Sequence, residues 1–159
     1  MPRRAIKKRR VLPPDSIYQS QLVTRLINGI MISGKKTVAQ KHVYRAFEII
    51  KDKTKFDPLL VFEKAIENVR PRLEVRSRRV GGAAYQVPLP VRGSRQNSLA
   101  LRWIISSARA KPNKEYHVFA EKLAAELIDA FNQTGGAYTK KQEIERLAEA
   151  NRAFAHLRW

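Results

Sequence analysis

Between Pro71 and Pro90 the hydrophobic period of this chain switches from about 3.6 residues to 2, and that one switch limits what it can fold into. Leu73, Val75 and Ser77 interleave there with Glu74, Arg76 and Arg78; past Gly81-Gly82, Tyr85, Val87 and Leu89 alternate with Ala84, Gln86 and Pro88. Two alternating runs around a two-residue Gly-Gly turn predict a β-hairpin, because both central turn positions can require positive φ. The turn sets the register. Val80 faces Ala83 and Arg78 faces Tyr85, so Arg76, Arg78 and Tyr85 share one side while Ser77, Arg79 and Gln86 share the other. Neither side is apolar near the tip, which is expected to project into solvent or into a ligand.

On either side of this segment the spacing is helical. Leu22, Val23, Leu26, Ile27, Ile30 and Met31 form a first stripe that Gly34 ends; Ala39, Val43, Ala46, Phe47 and Ile50 form a second. Asp57-Pro58 supplies an N-cap and an N1 proline for a third helix bearing Leu59, Phe62, Ile66 and Val69. After the hairpin, helices are expected over 97–108 (Ala100, Trp103, Ile104, Ser107), over 115–131 (Phe119, Leu123, Leu127, Phe131), and after Thr134-Gly135-Gly136 with Ile144, Leu147, Asn151 and Phe154. The expected fold is mainly α. Residues 1–159 make a single domain, a six-helix bundle with one protruding β-hairpin (71–90) between the third and fourth helices and a basic N-terminal arm (1–16).

Charge decides the class of partner. Lys and Arg number 32 against 14 Asp and Glu, an excess of +18 on 159 residues. Self-repulsion of that size calls for a polyanion that releases counterions on binding, and 43 % hydrophobic residues are enough for a core beneath it. Arg3, Arg4, Lys7, Lys8, Arg9 and Arg10 precede the first acid, Asp15, and show no apolar period; such an arm is expected to order on a polyphosphate. From Arg70 to Arg102 the cations are all arginine (Arg70, Arg72, Arg76, Arg78, Arg79, Arg92, Arg95, Arg102) with Glu74 as the lone acid. Guanidinium holds phosphate bidentately and stacks on bases, whereas a merely solvated face would mix in lysine. Tyr85 fits equally a base-stacking platform and a cross-strand partner of Arg78.

Other chemistries lack their residues. Cysteine is absent, which removes disulfides, thiolate nucleophiles and Cys-rich zinc sites. His42, His117 and His156 have no metal-type partner spacing, no Gly-rich loop ends in Lys-Ser/Thr, and no Gly-x-Ser-x-Gly elbow occurs, so neither a metal, a cofactor nor an enzymatic activity is expected. Glu121, Glu126 and Asp129, with Glu143, Glu145 and Glu149, are read as solvated acids on amphipathic helices. No apolar run nears the roughly 20 residues of a membrane helix, and MPRRAIKKRR runs into Pro13-Pro14 and not into a signal core; an unsecreted protein without membrane contact is expected.

Gly34-Lys35-Lys36, Ala65 to Pro71, Val75 through Arg78-Arg79-Val80-Gly81-Gly82 to Tyr85-Gln86-Val87-Pro88, Leu99-Ala100-Leu101-Arg102-Trp103, and Ala148 to His156 together resemble the bacterial and organellar small-subunit ribosomal protein seven family, block by block in order along the whole chain. Ala83-Ala84 stands where the family usually carries Ser-Thr, His42 where an aliphatic is usual, and Lys111 to Tyr116 is the least family-like stretch. The resemblance implies a structural constituent of the small ribosomal subunit that binds the 3′ major domain of its RNA, nucleates head assembly and reaches the tRNA exit site and mRNA exit path. It implies rRNA contacts at Arg3, Arg4, Lys7, Lys8, Arg9, Arg10, Lys35, Lys36, Arg72, Arg76, Arg92, Arg95 and Arg102, and tRNA- or mRNA-facing residues at Arg78, Arg79, Gly81, Gly82, Tyr85 and Arg152. Its implied partners are rRNA, exit-site tRNA, mRNA and neighbouring ribosomal proteins, with no stable homo-oligomer, in a cytoplasmic or organellar ribosome. The competing reading, a basic helical DNA-binding protein of nucleoid or regulatory type, would call for a recognition helix dense in base-reading side chains, and no helix stands out that way.

Overall fold

The computed structural model describes residues 11–157. Six α-helices, α1 (Gln21–Ile30), α2 (Lys36–Thr54), α3 (Pro58–Val69), α4 (Gly93–Ala110), α5 (Phe119–Phe131) and α6 (Gly135–Ala150), surround one core; strands β1 (Leu73–Val80) and β2 (Ala83–Pro90) stand between α3 and α4, and a 3-10 helix, Arg152–Leu157, follows α6. The apolar stripes are what pack. Val23, Leu26 and Ile27 of α1, Val43, Ala46, Phe47 and Ile50 of α2, and Phe62, Ile66 and Val69 of α3 are essentially inaccessible. The Asp57 carboxylate accepts the Leu59 amide at 3.2 Å with Pro58 in the first turn, so α3 starts where its capping residues put it.

Helix α5 lies at the centre, against α2, α3, α4 and α6. Leu123 and Leu127 fill its middle, Phe119 and Phe131 sit half-buried at its ends, and Ala120, Ala124 and Ala130 let neighbouring helices approach. The α1–α4 crossing is close for a similar reason. A Cβ on Gly29 would lie 2.7 Å from Ile105 Cδ1, so only glycine fits there without a shift.

The hairpin has the expected register, Val80 opposite Ala83 and Arg78 opposite Tyr85, with φ of +58° at Gly81 and +92° at Gly82. Its base is buried through Glu74, Val87 and Pro88; Arg79 to Ala84, apart from half-buried Val80, are exposed. The main core cluster contains no hairpin residue. Replacing Arg79 to Ala84 by a short Gly-Ser turn is therefore expected to leave helical circular dichroism and the melting transition nearly unchanged. Loss of cooperative melting would place the tip in the core.

Three helix ends differ from their sequence expectation, each through polar contacts that a hydrophobic period cannot register. Helix α4 begins at Gly93 and not at 97, because the Arg92 carbonyl accepts the Arg95 and Gln96 amides along a first turn that is exposed at Gly93, Ser94 and Arg95. Helix α5 begins at Phe119 and not at 115; the Glu121 carboxylate accepts the His117 and Val118 amides, at 3.1 and 3.3 Å, and fixes the start there. Helix α6 stops at Ala150. The Asn151 side chain donates to the Leu147 carbonyl at 2.8 Å, and the tighter 3-10 winding beyond it carries Phe154. Leu147, expected on the buried stripe, is 49 % exposed, and the buried residues of α6 are Ala137 and Ala148.

Candidate nucleic-acid interface

Arg95, Arg102 and Arg109 recur every seven residues on α4, and all three are exposed. Seven residues are nearly two helical turns, so the three guanidinium groups form one row with a repeat of roughly 10 Å. Between this row and α1 runs a groove of about 770 Å³, lined by Arg25 and Asn28 of α1 and by Ser98, Arg102, Ser106 and Arg109 of α4, with no carboxylate in its lining. Cations and neutral hydroxyl or amide donors along a concave wall suit phosphate oxygens. Arg109 also donates to the Ile30 carbonyl at the end of α1, at 3.1 Å, and so ties the two walls together. Arg25 and Arg109 were absent from the sequence-derived set. The seven-residue repeat from Arg95 was the signal for Arg109; nothing local marks Arg25.

Glu74, the lone acid of the arginine-rich segment, is 8 % exposed and joins the hairpin base to α4. Its Oε1 accepts Arg76 Nε at 2.8 Å and Oε2 accepts Arg95 Nε at 2.6 Å. One buried carboxylate thus orients two half-exposed guanidinium groups, with Arg76 Nη2 also 2.7 Å from Glu74 Oε1. Arg92 is exposed at the mouth of α4, and Arg72 is exposed where the Val91 amide bonds its carbonyl at 3.0 Å; the Arg72 amide donates to Glu145 of α6. Lys35, in the turn leading into α2, and Lys36, its first residue, are exposed, and Lys35 shares a cavity wall with Arg109. Arg3, Arg4, Lys7, Lys8, Arg9 and Arg10 lie outside the described residues. Asp15, within the stretch assigned to the arm, is 5 % exposed and accepts the Tyr44 hydroxyl at 2.9 Å, and Thr24 donates to the Pro13 carbonyl.

The far end of the hairpin is a separate assembly. The Tyr85 ring packs on Phe154, centroids 5.2 Å apart, so the 3-10 helix rests on β2 and brings exposed Arg152 beside the ribbon. One face of Tyr85 is therefore covered from within the chain. Arg79, Gly81 and Gly82 remain exposed at the tip, with Arg78 half-buried opposite Tyr85.

One acid read as solvated is not. Glu126 is 1 % exposed; its Oε1 accepts the Ala137 amide at 2.8 Å and its Oε2 lies 3.2 Å from Lys111 Nζ, which also meets Asp129 at 2.7 Å. Lys122 in turn donates to the Lys111 carbonyl and to Asn113 Oδ1. Burial alone would lower the Lys111 pKa, yet the Asp129 and Glu126 carboxylates outweigh it and leave the ammonium raised. This network fastens the segment between α4 and α5 to the start of α6. His42 packs against Phe119, the two rings edge to face with centroids 5.9 Å apart. No group of three His, Asp or Glu side chains among the described residues could hold a metal, and no described helix is long and apolar enough to cross a membrane.

A helical body with an arginine-lined groove, free of acids in its lining, and a charged ribbon beside it define a protein built to grip a polyanion. Residues 2–152 match the family model for ribosomal protein S7p/S5e. The chain is 58 % identical over 159 residues, all of both chains, to the small ribosomal subunit protein uS7 of Thermotoga maritima, and 56 % identical over the full length of both to those of Dictyoglomus turgidum and Carboxydothermus hydrogenoformans. The chain belongs to the ribosomal protein S7p/S5e family, and with it to the structural, non-enzymatic proteins of the small ribosomal subunit.

Proposed function

We propose that the chain binds the 3′ major domain of small-subunit rRNA through the α1–α4 groove and the hairpin base, and so nucleates assembly of the head. The Arg95–Arg102–Arg109 row carries this reading, since regularly spaced guanidinium groups beside an acid-free groove match a phosphate backbone and little else. Arg72, Arg76, Arg92, Lys35 and Lys36 extend the contact at its edges. The hairpin tip, with Arg78, Arg79, Gly81, Gly82 and Tyr85, and Arg152 on the adjoining 3-10 helix, faces exit-site tRNA and outgoing mRNA. Neighbouring small-subunit proteins complete the surroundings.

Binding to a 3′ major domain fragment and to duplex DNA of equal length, compared at one salt concentration, tests this reading. Tighter binding to the rRNA fragment is expected; equal or tighter binding to DNA would favour the nucleoid-type alternative. Deleting residues 2–10 removes six positive side chains. It is expected to flatten the salt dependence of rRNA binding by up to about five units of slope if each charge meets a duplex-like phosphate. An unchanged slope would make the arm a bystander.

A further inference from the structure

A second cavity, of about 350 Å³, opens beside the arginine groove and shares Arg109 with it. Its walls come from the end of α1, the turn into α2, the first turns of α2 and the first residue of α5. Ile32 and Val38 in its lining are 66 % and 47 % exposed, and His42 and Phe119 meet there edge to face. The lining holds two permanent cations, Lys35 and Arg109, and no carboxylate. Glu121, the acid on the adjoining first turn of α5, is held by two backbone amides. Exposed aliphatic side chains around a concavity mark a surface that a partner covers.

The chemistry of the occupant follows from what lies in the lining. A purely apolar side chain from another protein would fill the cavity and leave Lys35 at its rim without a counter-charge. A nucleotide brings a flat, weakly polar ring and anionic phosphates in one unit, and proteins that read RNA hold unstacked bases against apolar and aromatic side chains in this way. The geometry points to a pocket for a single unpaired nucleobase of the ribosomal RNA, its flanking phosphates resting on Lys35 and Arg109. This inference deepens the rRNA reading above and depends on it. Swinging a paired base out of its stack costs a few kcal/mol, so the nucleotide comes from a bulge or loop where that cost is already met.

The test pairs Ile32→Ser with Val38→Ser. Both side chains are exposed, so the melting transition should match that of the unmodified chain, and both changes are neutral, so phosphate contacts are untouched. With the 3′ major domain rRNA fragment as probe, affinity is expected to fall about tenfold at fixed salt, as loss of the two aliphatic walls that cover the base implies, while the salt slope stays the same. Dimethyl sulfate probing should show one unpaired base protected by the unmodified chain and reactive again with the double variant. Unchanged affinity and an unchanged footprint would overturn the inference. So would normal rRNA binding combined with loss of a neighbouring protein from reconstituted subunits, which would assign the pocket to a protein side chain. Failure of the unmodified chain to bind the fragment at all would sink the rRNA reading itself, and this inference with it.

Discussion

Glu126→Ala is expected to destabilise the fold by about 3 kcal/mol, the largest single-residue effect we anticipate outside the apolar core. The carboxylate is 1 % exposed, so its removal leaves the Ala137 amide without its acceptor and Lys111 with only the half-exposed Asp129. A buried amide without a partner and a half-compensated, part-buried ammonium both cost more than a surface ion pair is worth. In urea the midpoint should fall by more than about 1 M with the slope m unchanged. A shift worth less than about 0.5 kcal/mol would mean a solvated surface acid, as the helical pattern alone suggested. The same network sets a pH dependence. Because the Lys111 pKa is raised in the fold, its stabilisation is fully present below the ordinary lysine value and is lost as pH climbs through the higher folded value. The alkaline loss of stability should therefore be shallower in Glu126→Ala than in the unmodified chain, compared by urea titration above about pH 10.

What the sequence made legible follows from which forces leave a periodic trace. Apolar burial does, so the stripes of α1, α2 and α3 and the hairpin register at Arg78 and Tyr85 could be read directly. Polar contacts between distant residues do not. The burial of Glu126 depends on where Ala137 of α6 and Lys111 lie, which one-dimensional spacing does not encode, and the capping of α5 by Glu121 and the turn at Asn151, though local, are polar contacts that leave no hydrophobic period. The same division holds at the interface. The arginine-only run was visible, but the role of Glu74 in orienting Arg76 and Arg95 required the Arg95 side chain of α4 to reach β1, and Arg25 joined the site only through the α1–α4 crossing that Gly29 permits.

Separating the base of the hairpin from its tip is the second large effect expected. Arg95 and Arg102 stand on α4 beside the groove, while Arg78 and Arg79 lie next to the Gly81-Gly82 turn. A ribbon rises roughly 3.3 Å per residue, so the span from Arg72 to Arg78 carries the tip about 20 Å from the base. Two surfaces that far apart touch different partners. Arg95→Ala with Arg102→Ala should weaken rRNA-fragment binding by about 1 to 3 kcal/mol for charge-assisted phosphate contacts, with Arg76 still paired to Glu74. Arg78→Ala with Arg79→Ala should leave incorporation into the small subunit close to normal and lower exit-site tRNA retention.

The most direct test of the arginine row as the rRNA-docking surface is the slope of log K against log salt for the 3′ major domain fragment, measured for the unmodified chain and both double variants. The row predicts a slope smaller by about two units for the Arg95 and Arg102 variant, with little change for the tip variant. A full slope with Arg95 and Arg102 removed, or a loss confined to the tip variant, would contradict it.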